Sequence, residues 1–63
     1  MEYKLTSVKI LLDLYKIFIV DALNEEFTLQ KLVNRSMDLY LLDTDFKSQI
    51  HEYNNLKVSG SRL

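Results

Sequence analysis

Few residues of this chain are of types that do chemistry, and their spacing decides what chemistry is left. His51 stands alone, with Lys47 one turn before it and Glu52 adjacent. A histidine with no cysteine and no second histidine in the chain offers no metal site, and it reads as a surface residue. Asp43 and Asp45 flank Thr44, a spacing that suits helix capping better than acid–base catalysis. Paired-carboxylate catalysis also needs an enclosing pocket, which 63 residues can hardly build. There is no glycine-rich phosphate loop, since Gly60 is the only glycine. The chain therefore reads as a non-enzyme with no cofactor and no metal. Binding chemistry remains: Ser7 and Lys9 on one side of a short alternating stretch, and Thr28 opening an apolar-periodic run.

The elements that position these residues follow from periodicity. Thr6-Ser7-Val8-Lys9-Ile10 alternates polar and apolar, which predicts a short strand with Ser7 and Lys9 outward and Thr6, Val8 and Ile10 inward. A lone strand of about five residues is unstable, and no other segment reads as its partner, so the expected partner is a second copy of the chain. Leu11, Leu14, Tyr15, Phe18, Ala22 and Leu23 then fall at helical spacings and predict a helix over about residues 12–25, with Asp13 in its first turn. No glycine ends it, so Asn24 or Glu25 is expected in the left-handed exit position. Thr28 is the expected N-cap of a second helix over about residues 29–42. Its inward stripe is Leu29, Leu32, Val33, Ser36, Met37, Tyr40 and Leu41. Lys31 stands where a capping box would have Glu or Gln. A short third helix over about residues 45–54, capped by Thr44 or Asp43, carries Phe46, Ile50 and Tyr53 on one face. Residues 1–5 read as a flexible arm, 44–55 as the segment of the third helix, and 56–63 as a flexible tail.

Composition bounds the class. A single domain of 63 residues is marginal by itself, and no cysteine is present to staple it. Apolar residues make up 48% of the chain, a large share for so surface-rich an object, which points to a subunit interface. The longest apolar-rich run, Ile10 to Leu23, is interrupted by Asp13, Lys16 and Asp21, so no membrane association is expected. The first residues do not read as a secretion signal, and a cytoplasmic location is expected. The net charge of −1 hides an asymmetry: +1 over residues 1–20, −4 over residues 21–56 and +2 over residues 57–63. Such a distribution matters more than the sum when one face meets a polyanion.

The hydrophobic register supports more than a list of elements. Val8-Lys9-Ile10, Leu14-Tyr15, Phe18, Ala22 and Thr28-Leu29 fall at the spacings of the ribbon-helix-helix pattern, and Leu32-Val33, Ser36-Met37 and Tyr40-Leu41 continue it. Over about residues 5–43 the chain resembles the Arc and methionine-repressor superfamily, with residues 6–43 as the ribbon-helix-helix domain. The resemblance implies a mainly α fold with one short strand, paired with that of a second chain in a two-stranded antiparallel ribbon above an intertwined homodimer. It implies a dimer core of Val8, Ile10, Leu14, Phe18, Ala22, Leu32, Val33, Ser36, Met37 and Tyr40. It also implies a transcriptional repressor that binds double-stranded DNA by inserting the ribbon into the major groove. Base contacts would come from Leu5, Ser7 and Lys9, and phosphate contacts from Thr28, Leu29, Lys31 and Lys4. The chain departs from the pattern in having Leu11 where proline is common, Glu26-Phe27 where a glycine turn is common, and one outward cation per strand. Cooperative dimer–dimer contacts would offset that thin charge.

A second class of function stays open. Ile17 and Val20 lie on the face of the first helix away from Leu14, Phe18 and Ala22, where relatives usually carry charge. Covered by the third helix they are core; uncovered they form a candidate docking patch for a protein partner. In that alternative the chain is a small dimeric interaction module that binds and inhibits another protein, with little DNA affinity.

Overall fold

In the computed structural model, which describes residues 1–63, the helical periodicities become three helices: α1 (Leu12–Asn24), α2 (Leu29–Leu42) and α3 (Thr44–Glu52). Helix α1 begins after Leu11 with no side-chain cap, and Asp13 supplies the carboxylate that suits the positive end of a helix. Its exit is a Schellman turn. The Phe27 N–H donates to the Ala22 carbonyl at 2.8 Å and the Glu26 N–H to the Leu23 carbonyl at 3.3 Å. The left-handed position is therefore Glu26, at φ 52°, and not Asn24 or Glu25.

Helix α2 is opened by Thr28, whose backbone is extended and whose hydroxyl accepts from the Lys31 N–H at 3.1 Å. Asp43 then does two things at once. Its N–H donates to the Leu39 carbonyl at 2.8 Å and closes α2. Its carboxylate accepts from the Asp45 N–H at 2.9 Å and the Phe46 N–H at 3.2 Å and opens α3. Thr44 is the first residue of α3 and not its cap. Helix α3 packs back on α2, where the Tyr40 hydroxyl and His51 Nε2 lie 2.6 Å apart. The two rings stack at 5.6 Å and 17°, with Lys47 Nζ 5.3 Å from the centre of the Tyr40 ring. Beyond α3, the Leu56 N–H donates to the Ser61 carbonyl at 2.7 Å and the Gly60 N–H to the Leu56 carbonyl at 2.6 Å. That small loop requires Gly60 at φ 70°. No helix is long and apolar enough to cross a membrane.

The expected strand is absent. Residues 1–11 carry no helix and no strand, and Val8 is 74% exposed. The ribbon-helix-helix architecture, with its intermolecular ribbon and intertwined dimer, is thus corrected to a chain of three helices with no sheet. The physical reason lies in the backbone hydrogen bonds. Five alternating residues define two faces but no partner, and with no second strand in the chain their N–H and C=O groups stay with water.

The side chains expected to form a core do not close one within the chain. Ala22 alone is buried; Leu14, Phe18, Ser36 and Tyr40 are half-covered, and Val8, Ile10, Leu32, Val33 and Met37 are exposed. The radius of gyration is 13.1 Å, against about 11 Å for a compact domain of this length. Because Glu26 sits where only glycine is at ease, Glu26→Gly should stabilise α1 by about 0.5–1 kcal/mol. A thermal melt followed by circular dichroism should show this as a rise of a few degrees.

Candidate nucleic-acid interface

Thr28 fixes the geometry of the site, because an N-cap leaves the first backbone N–H groups of α2 pointing out of the helix end. Helices α1 and α3 each meet that positive end with an acid, Asp13 and Asp45. Helix α2 has no acid in its first turn. It carries Lys31 there instead, and Arg35 one turn on, with no carboxylate between Leu29 and Met37. A cation at this end opposes the helix dipole, so α2 gives up a local stabilisation that its neighbours take.

The side chains converge on one cleft. It is lined by Met1, Tyr3, Thr28, Gln30, Lys31, Asn34 and Arg35, and no acidic residue is among them. The Asn34 side-chain amide donates to the Gln30 carbonyl at 2.8 Å, which fixes its orientation along α2. The Arg35 guanidinium lies 5.3 Å from the centre of the Phe27 ring, in the loop just before Thr28. That cation–π contact draws Arg35 back toward the start of its own helix. Cationic and amide donors thus share one wall with unpaired backbone N–H groups, and the arm places Tyr3 against them. Such a wall can receive a phosphate-like anion without a metal.

Of the residues expected to touch phosphate, Thr28 and Lys31 line this cleft together, whereas Leu29 is half-covered beside it and Lys4 is exposed outside it. Of those expected to touch bases, Leu5, Ser7 and Lys9 are all exposed on the irregular segment before α1. No strand aligns them. Ile17 and Val20 are 52% and 64% exposed, so α3 does not cover them. Arg35 is not among the expected site residues. Its spacing of four from Lys31, on the same helix face, is the signal that could have found it.

No protein-family model, curated protein or solved structure matches this chain.

The cost of Lys31 is measurable. Lys31→Glu places a carboxylate at the positive end of α2 and completes a capping box with Thr28. It should raise stability by about 0.5–1 kcal/mol, read as an upward shift of the melting temperature by several degrees. An unchanged or lowered melting temperature would show that α2 gives up no stability to hold a cation there.

Proposed function

We propose that the chain is a DNA-binding protein that occludes a promoter and represses transcription, acting in the cytoplasm and without catalysis. The observation that carries this reading is the acid-free cleft at the start of α2, where Lys31 and Arg35 meet the Thr28 cap. A backbone phosphate supplies the charge that this wall lacks. Lys4 and Lys9, on the exposed segment before α1, add cations that can follow the same DNA strand. Ser7 and Lys9 donate to base edges once that segment takes its shape against the groove, so selectivity comes from a part of the chain ordered by its ligand. With few cations per chain, tight binding needs more than one copy on the DNA.

A titration of a labelled genomic fragment pool at two salt concentrations tests this. Wild type should bind less tightly at the higher salt. The double substitution Lys31→Ala/Arg35→Ala should weaken binding to all sequences. It should also flatten the salt dependence by about one unit of log–log slope for each phosphate that the chain no longer neutralises. Lys9→Ala should narrow the gap between preferred and random sequences. Salt-independent binding, or a double variant with unaltered affinity, would dispose of the proposal.

One observation favours a second reading. Ile17 and Val20 are one turn apart on α1 and both exposed, a combination suited to an apolar partner surface. In that reading the chain inhibits another protein. Wild type should then show no sequence-selective binding in the DNA titration, and Ile17→Glu/Val20→Glu should abolish the inhibitory effect of the protein in cells while its circular dichroism spectrum stays unchanged. Selective DNA binding by wild type, or a double variant that inhibits as well as wild type, sinks the docking reading.

A further inference from the structure

The groove between α2 and α3 has a floor and two rims. Ser36, Tyr40 and Phe46 are half-covered and form the floor; Met37, Leu41 and Ile50 stand exposed beside them. The cavity between the rims is about 480 Å³, within the range of sites that hold a small organic molecule. Tyr40 also belongs to a second, polar group. Its hydroxyl meets His51 Nε2 at 2.6 Å, and Lys47 Nζ stands 5.3 Å from the centre of its ring. Lys47 and His51 are one turn apart on α3, so both lie along one edge of the groove. We propose that this groove binds a small monocarboxylate with an apolar body, such as a medium-chain fatty acid, its chain on the floor and its carboxylate at Lys47 and His51. The proposal does not depend on the DNA reading.

Charge complementarity selects the polar end of this ligand. No charged residue lines the groove itself, so an apolar chain meets only apolar groups and the Ser36 and Tyr40 hydroxyls there. At the edge, Lys47 is a single cation beside two groups that can hydrogen-bond, the Tyr40 phenol and the His51 imidazole. A carboxylate carries one charge and two acceptor oxygens, which matches that set; a phosphate group carries nearly twice the charge and calls for more than one cation. The neighbouring acids do not compete for Lys47. The Asp43 carboxylate is turned to the Asp45 and Phe46 amides, and Glu52 lies on another face of α3 from His51.

Size selects the apolar body. The two-walled stretch of α2 runs from Ser36 to Leu41, about 7.5 Å of helix rise. A partner helix reads a groove through anchors at i, i+3, i+4 and i+7, which span about 10 Å. The stretch is too short for such a helix and long enough for one short chain. Ser36, the smallest lining residue, keeps the floor low where a larger side chain would fill it. Met37 on the rim adapts its shape to what lies beside it more readily than a branched side chain. The joint at Asp43 and the Tyr40–His51 contact hold the two walls in place before any ligand arrives.

Methyl spectra of the full chain, titrated with sodium octanoate below its micellar concentration and with octanol in parallel, test this. The expected result is a saturable shift of the Met37 and Ile50 methyl signals, with octanoate bound more tightly than octanol. From hexanoate to octanoate, each added CH₂ should tighten binding about two- to fourfold. Lys47→Ala should weaken octanoate binding about fivefold and leave octanol binding unchanged. Lys47→Arg should keep the wild-type preference for the carboxylate. Equal affinity of wild type for octanoate and octanol overturns the proposal, as does an unaltered preference in Lys47→Ala. Shifts confined to the Ile17 and Val20 methyl groups also overturn it. Groove methyl signals that octanoate does not move overturn it as well, and leave the groove to a second copy or to a protein partner. None of these readouts involves DNA, so the two proposals fall separately.

Discussion

Everything in this chain is conditioned by one constraint: it cannot cover its own apolar side chains. Almost half of its residues are apolar, yet Ala22 alone is buried. Three helices, of which α2 and α3 make the main contact, present more faces than the chain has elements to cover. Backbone hydrogen bonds and caps define where each helix starts and stops, but they contribute little toward holding the helices together, because water satisfies the same groups in the unfolded chain. Tertiary packing is what normally stabilises helices of this length. Within the single chain that packing is slight, since no residue of α2 or α3 is buried.

Local signals explain the elements with some economy. Thr28 and Asp43 cap the two helices they precede, and Asp13 and Asp45 sit where a helix dipole favours acid. Against this pattern the start of α2 stands apart. A lysine where the neighbouring helices have acids, an arginine held toward the helix start by Phe27, and an amide on the same face gather cations and donors at one end of α2. The net charge of −1 says nothing of this, because charge acts locally over about one Debye length.

The helices are legible in the sequence because a period of three to four repeats across a dozen residues, and chance rarely sustains it. Thr28 is legible because an N-cap is a one-residue chemical requirement. The strand misleads for the opposite reason. Thr6 to Ile10 contains only about two cycles of alternation, which an exposed irregular segment satisfies equally well. No pattern within a segment can supply its hydrogen-bond partner. The left-handed residue at the exit of α1 lies one or two positions beyond Asn24 and Glu25, because the choice is set by where Phe27 returns to Ala22. Arg35 is legible only as a neighbour of Lys31 on one helix face; its turn back toward the helix start depends on the Phe27 ring, a contact across eight residues and a turn. His51 reads from sequence as a lone surface side chain. Its pairing with Tyr40, eleven positions away, exists only because α3 folds back.

The joint at Asp43 sets how the chain divides. One residue ends α2 with its amide and begins α3 with its carboxylate, so no slack separates the two helices. The carboxylate cap is local to α3, so what ties α3 to α2 is the short joint and the Tyr40–His51 contact. The longer Glu25–Thr28 turn separates α1 from that pair, so the chain divides into a hinged pair of helices and a third helix set apart from it.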